Sequence, residues 1–262
     1  MTRIRGALID LDGTVYRGGD LLPGSLDGLG ALEEADVDVV FLSNNATKRP
    51  TDYRRVLAGM GIDVPLSSIC NSAAIAADFL AEQHPDAGVY VIGEPALKAE
   101  LRDADLDVAT DPAATDVVLA SMHLGFDYAV FQDVLNADRL REPPIYATNP
   151  DRTCPVENGE VPDCGPVIGA IEGLLGRTID RVLGKPSRVT IDVALGRLGF
   201  QADECVMIGD RLDTDILMGE RAGMHTALVL TGVTDRDDLA DADVEPDHIL
   251  DSLGDIGGVL EP

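Results

Sequence analysis

Short apolar runs alternate along the chain with loops rich in Gly, Asp or Asn and with amphipathic stretches of helical period. That alternation is the pattern of parallel βαβ units. Ile4–Ile9 predicts a strand ending in Asp10-Leu11-Asp12-Gly13-Thr14, Ser25–Ala35 a helix, and Val37–Leu42 a second strand ending in Ser43-Asn44-Asn45. Far along the chain, Cys205–Ile208 predicts a strand running into Gly209-Asp210, followed by a helix over Asp213–Ala222 and a strand over His225–Leu230. The middle has its own alternation: strands at Val89–Ile92, Val117–Ala120 and Ile145–Ala147, and helices at Pro95–Leu101, Tyr128–Ala137 and Pro166–Leu175. The fold class expected is α/β: a doubly wound, Rossmann-like parallel sheet core built from residues 1–76 plus 183–262, with a second α/β domain inserted at 77–182. In an open parallel sheet, ligands bind beyond the strand C-termini. Asp10, Ser43 and Asp210 are therefore expected to converge.

The 262 residues are enough for a large core, and 45% are hydrophobic without any long apolar run, which argues against a membrane span. The N-terminus enters a strand without the basic start, apolar stretch and small-residue cleavage site of a secretion signal, so a cytoplasmic location is expected. Forty-seven acidic against 20 basic residues give a net charge of -27 and a pI near 4.2. Nucleic acid is a poor partner for such a surface. The acids are scattered rather than gathered in a tail, which fits a solvated acidic coat of the halophile type, with salt screening its self-repulsion. Cys70, Cys154, Cys164 and Cys205 show neither CxxC nor close metal spacing, and are expected to be free thiols.

Four polar clusters carry candidate chemistry. Asp10 and Asp12, before the turn-permitting Gly13, suit a metal site, a nucleophile with an acid/base partner, or a solvated turn. A calcium loop is excluded, because the twelfth position from Asp10 is Leu21, not Glu. Ser43-Asn44-Asn45 suits phosphate oxygens or a helix cap; Asn45-Ala46-Thr47 also spells a glycosylation acceptor, which a chain without a secretion signal would not use. Lys185, one of only three lysines, lies in the turn Gly184-Lys185-Pro186 and suits a phosphate and a nearby carboxylate, or a plain surface role. It is not part of a P-loop, since Pro186 stands where the hydroxyl residue belongs. Asp210 is placed to ligate magnesium and Asp215 to orient Lys185 or a metal-bound water, while Asp213 suits a helix cap.

Taken together and in order, Asp-x-Asp-Gly-Thr, the Ser-Asn-Asn strand end, Gly-Lys-Pro and Gly-Asp-Arg-x-x-Thr-Asp resemble the haloacid dehalogenase superfamily. Within it the chain looks like the NagD-type, p-nitrophenylphosphatase group that includes phosphoglycolate and pyridoxal phosphatases. Ala147-Thr148-Asn149-Pro150-Asp151 and Glu157-Asn158-Gly159 resemble that group's α/β cap, whereas Arg152–Pro155 falls where its substrate loops vary. The resemblance implies a phosphatase acting on small-molecule phosphate monoesters through an aspartyl-phosphate. Asp10 would be the nucleophile and Asp12 the acid/base. Mg2+ would be held by Asp10, the Asp12 backbone carbonyl and Asp210. Gly13, Ser43, Asn44, Asn45 and Lys185 would bind phosphate, and Asp215 would fix Lys185. Asn149 and Asp151, with His123 and Tyr128, are the cap's candidate substrate contacts, and a cap-to-cap homodimer is expected. A dehalogenase would not need an acid at position 12. A phosphomutase, or a signalling module phosphorylated on Asp10, remains an alternative, although such modules are shorter and carry no inserted domain.

Overall fold

The computed structural model describes residues 3–156 and 159–260. Contacts divide the chain into two compact units, one of Met1–Ser43, Pro50–Cys70 and Lys185–Pro262, the other of Asn44–Arg49 and Asn71–Gly184. In chain order the first unit begins with β1 (Gly6–Asp10), the short ribbon β2 (Tyr16–Arg17) and β3 (Asp20–Leu21), α1 (Ser25–Glu34), β4 (Asp38–Ser43), α2 (Pro50–Gly59) and β5 (Ile69–Asn71). The second unit holds α3 (Ser72–Gln83), β6 (Gly88–Ile92), α4 (Pro95–Asp103), β7 (Asp107–Ala109), β8 (Val117–Ala120), α5 (Tyr128–Arg141) and β9 (Ile145–Ala147). It continues with the hairpin β10 (Thr153–Val156) and β11 (Gly159–Pro162), then α6 (Cys164–Leu175) and β12 (Arg181–Val182). The chain returns to the first unit with α7 (Arg188–Leu198), β13 (Cys205–Gly209), α8 (Leu217–Ala222), β14 (His225–Val229), β15 (His248–Leu250) and α9 (Gly257–Leu260).

The first unit's sheet has the order β15-β14-β13-β1-β4-β5, with parallel pairing from β15 through β4. β1 and β13 are buried along their whole length, as strands covered on both faces must be, and their sequences read as apolar runs rather than alternating ones. Successive strands are laid down on opposite sides of β1, so β1 is where the strand order reverses. Ala7, Ile9, Leu11, Phe41, Val206 and Ile208 lie in the core beneath it.

The second unit has its own all-parallel sheet, β12-β9-β8-β6-β7, with a separate core of Ile92, Val118, Val134, Ile145 and Ile171 among others. Helices α5 and α6 carry side-chain caps. Asp127 accepts from the backbone N–H of Ala129 and Val130 at the start of α5, and Asp163 from that of Cys164 at the start of α6. These caps satisfy amides the helix leaves without partners.

Two sequence expectations shift. The boundary expected between residues 76 and 77 would cut α3, which begins at Ser72 because the Asn71 side chain caps it by accepting from Ala74 N–H; the contact division falls at 71 and after 184 instead. The helix expected over Asp213–Ala222 opens as a wide π turn over Leu212–Ile216 before α8 begins. Among the described residues the cysteines form no disulfide; Cys70, Cys164 and Cys205 are buried and Cys154 is partly exposed. Among the described residues no helix is long and apolar enough to cross a membrane.

Candidate active site

At the strand-order reversal, register brings the sequence clusters of the first unit together. Asp10, the last residue of β1, pairs with Leu42 of β4 on one side; on the other, Ile9 pairs with Ile208, so Asp210 follows the end of β13 beside it. Lys185, at the start of the returning segment, places Nζ 2.5 Å from Asp10 Oδ1 and 2.6 Å from Asp215 Oδ1. The π turn supplies Asp215. Its wider winding turns the carboxylate inward, where Oδ2 accepts from the Arg211 backbone N–H at 3.2 Å, a placement frequent for π turns at functional sites. Carboxylate oxygens of Asp10, Asp210 and Asp215 all lie within 4.8 Å of one another, and all three residues are buried.

Close packing of this cluster depends on glycine. A Cβ on Gly13 or Gly232 would run into the Asp210 carboxylate, and one on Gly209 into that of Asp215. Gly13 also has φ +91°, a conformation that glycine adopts without steric penalty. Its N–H donates to Tyr16 O at 2.8 Å, closing the turn that carries Asp12, which is half-buried and bridged to Tyr16.

Burial pushes the Asp10 carboxyl well above its usual range; Lys185 opposes the shift, and Asp215 and Asp210 add to it. Asp210 is pushed up to about 7, first by burial and then by Asp215, with the Val233 N–H resisting. Burial disfavours the Lys185 ammonium, but Asp10 and Asp215 together outweigh it and raise its pKa. Three carboxylates face one ammonium, so the fully ionised cluster keeps two surplus negative charges. Asp210 Oδ2 accepts from Val233 N–H at 2.6 Å, while its buried Oδ1 has no hydrogen-bond partner among the described residues. An orphaned carboxylate oxygen beside a surplus charge of minus two fits a hard divalent cation.

The remaining expected residues are placed as follows. Ser43 is buried, with Oγ 3.1 Å from the Tyr53 hydroxyl. Asn44 and Asn45 belong to the second unit. Asn44 Nδ2 donates to Asp151 Oδ2 at 3.0 Å, and Asn45 Oδ1 accepts from both the N–H and Oγ1 of Thr47. Asn149, expected to contact substrate, is fully buried: Nδ2 donates to Asn44 O at 2.9 Å and Asp163 Oδ1 at 3.3 Å, and Oδ1 accepts from Asp151 N–H. Both amide ends of the Asn149 side chain are thus committed to groups within the second unit. His123 Nδ1 lies 3.3 Å from Glu94 Oε1, and Tyr128 is exposed. Glu157 and Asn158 lie outside the described residues. The sequence reading passed over the loop 231–234, whose Val233 and Thr234 N–H groups hold the Asp210 side chain and carbonyl. Its only signal was a Thr-Gly-Val directly after an apolar strand.

Residues 7–107 match the haloacid dehalogenase-like hydrolase family, and residues 182–256 match a HAD-hydrolase-like family. The sugar-phosphatase AraL of Bacillus subtilis is 36% identical over 260 residues, 98% of this chain and 93% of that protein. An acid sugar phosphatase of Staphylococcus epidermidis is 32% identical, covering 97% and 96%. Among solved structures, a p-nitrophenyl phosphatase from Archaeoglobus fulgidus superposes with a TM-score of 0.92 at 31% identity, covering 99% of this chain and 100% of that one. NagD from E. coli K-12 superposes with 0.87 at 32%, covering 98% and 99%. With relatives this similar over nearly its whole length, the chain belongs to the haloacid dehalogenase-like hydrolases, in the NagD and p-nitrophenylphosphatase group.

Proposed function

We propose that this enzyme hydrolyses small phosphate monoesters, with sugar phosphates as the substrate class, by transfer to Asp10, and that Mg2+ is the cation it uses. The observation that carries the reading is the Asp10 carboxylate, buried at a strand end, gripped by Lys185 and set beside the orphaned oxygen of Asp210. The two relatives named as sugar phosphatases support the substrate class.

A carboxylate attacking a dianionic phosphate meets strong repulsion. Lys185 offsets part of it and holds Asp10 in place, and Asp215 holds Lys185. Asp10 and Asp210 would hold a divalent cation, which when bound would supply the remaining positive charge. An Asp10 oxygen bonds to phosphorus as the ester P–O bond breaks, and Asp12 gives a proton to the departing alkoxide. Water then attacks the phosphorus of the aspartyl-phosphate while Asp12 takes its proton, so inorganic phosphate leaves and the Asp10 carboxylate is restored. In this reading the second unit is the substrate-specificity domain.

The test is hydrolysis of p-nitrophenyl phosphate and a panel of sugar phosphates by wild type and Asp10→Asn, with Mg2+ or with EDTA, both proteins being verified as folded. Turnover that needs Mg2+ and vanishes in Asp10→Asn is expected. Turnover that survives in Asp10→Asn would overturn the nucleophile, and an aspartyl-phosphate that persists without product would favour a phosphoryl carrier.

A further inference from the structure

Arg17 sits on the exposed ribbon β2–β3, outside every motif considered above. In a chain with more than twice as many acids as bases, it spends its guanidinium on carbonyls: Nη2 donates to Thr231 O at 2.7 Å and to Gly232 O at 3.0 Å. The Gly232 carbonyl and the Val233 N–H belong to one planar peptide unit. That N–H is the donor 2.6 Å from Asp210 Oδ2. A continuous relay therefore runs from the Arg17 cation through a single peptide group to the carboxylate whose other oxygen has no partner.

We infer that Arg17 is a positioning residue for the cation site, fixing the 232–233 peptide so that Asp210 presents Oδ1 to the ion. Three features support this. A shift of the peptide would be felt at the carboxylate, because the two are so close that a Cβ on Gly232 would collide with Asp210. Thr231 Oγ1 donates to Gly13 O at 2.6 Å, so the same loop is tied to the turn after Asp10. A cation on the carbonyl also polarises the peptide, strengthening its N–H as a donor to a carboxylate. Arg17 thus reaches the site through hydrogen bonds without touching the cation or the substrate. The inference rests on the reading of Asp210 as a cation ligand.

The test is calorimetric titration of Mg2+ alone into wild type, Arg17→Met, Arg17→Lys, Asp210→Asn and the control Arg188→Met. Arg188 pairs with Asp192 on an exposed helix face. Arg17→Met is expected to weaken Mg2+ binding about 10-fold, the lower end of what loss of a partner behind a metal ligand costs. Arg17→Lys should recover part of that loss, and Arg188→Met none should show. In steady-state assays the defect of Arg17→Met should lie in the Mg2+ concentration required, with kcat near wild type at saturating Mg2+. Wild-type Mg2+ affinity in Arg17→Met, beside lost binding in Asp210→Asn, overturns the inference and leaves the cation site standing. Undiminished binding in Asp210→Asn overturns the cation reading itself. Should Arg17→Met not fold, Arg17→Lys decides: an affinity equal to wild type overturns the relay geometry, and a weakened one supports it.

Discussion

Lys185 and Asp215 form an ion pair from which water is almost wholly excluded, with Nζ 2.6 Å from Oδ1 and side chains 3% and 0% exposed. The same nitrogen grips Asp10, so one lysine joins the Asp10 end of β1 to the π turn after β13. Removing one partner of a buried pair strands the other charge, at a cost of about 3–5 kcal/mol. Lys185→Met, which leaves three carboxylates without an ammonium, is expected to destabilise more than Asp215→Asn. Equilibrium denaturation of both variants without divalent cations gives the comparison, and the reverse order would mean that Asp215 has a further structural role.

The carboxylate cluster makes stability depend on pH in a direction opposite to that of ordinary salt-bridged acids. Asp210 is pushed from 3.8 up to about 7 by burial and by Asp215, so between those values the folded state binds a proton that the unfolded chain has released. Its contribution is complete below about pH 4 and is lost as pH rises through about 7. Cation-free protein should therefore lose thermal stability across this range relative to Asp210→Asn, whose amide does not titrate. Above pH 7 Asp210→Asn should melt at the higher temperature, and added Mg2+ should narrow the gap by stabilising wild type alone. Parallel melting curves at every pH would contradict the placement of Asp210 in the cluster.

Glycines at the site and on the helices should respond oppositely to alanine. A methyl at Gly232 would collide with the Asp210 carboxylate, whereas one at Gly30, within α1, meets nothing within 4 Å. Gly30→Ala is expected to stabilise by about 0.5–1 kcal/mol through helix propensity. Gly232→Ala should lower both the melting temperature and Mg2+ affinity. Differential scanning calorimetry and Mg2+ titration separate the two.

Asn149 offers a way to tell a joint from a substrate contact. Truncation to Ala removes the donor to Asn44 O and leaves the Asp151 N–H without its acceptor, at a cost of about 1–3 kcal/mol. Loss of stability with KM for the preferred ester nearly unchanged is the expected outcome. A raised KM in a protein of unaltered stability would return Asn149 to the substrate.

Salt should stabilise this chain more than a neutral one of similar size. With a net charge of -27, self-repulsion across the surface is long-ranged at low ionic strength and is screened to about 3 Å at 1 M. Melting temperature measured from low to molar KCl is expected to rise; a flat curve would show that the acidic coat is already balanced locally, as in the pairs Arg5–Glu204 and Arg236–Asp251.

Apolar runs such as Ala7–Ile9 and Val206–Ile208 were enough to place β1 and β13, because a strand buried on both faces has to be apolar throughout. Each polar cluster at their ends suited a solvated turn, a cap or a surface role as well as chemistry. The order and spacing of all four clusters, from Asp10–Thr14 through Ser43-Asn44-Asn45 and Gly184-Lys185-Pro186 to Gly209–Asp215, carried the family resemblance, although taken alone Lys185 suited a surface role. Its burial between two carboxylates depends on where the returning segment enters beside β1, a contact between residues 175 positions apart. The hydrogen bonds of Asn149 were not legible, because sequence shows that a side chain is polar but not which backbone groups it will meet. Arg17 left no trace at all: its partners are two main-chain carbonyls more than 200 residues away, and every residue except proline offers the same N–H and C=O groups. Residue types and their local order thus determined the strands and the chemistry available at their ends. Which charges were buried together, which oxygen of Asp210 was left without a partner, and what holds that carboxylate in place were decided by long-range packing, since desolvation and hydrogen-bond geometry exist only once distant segments meet.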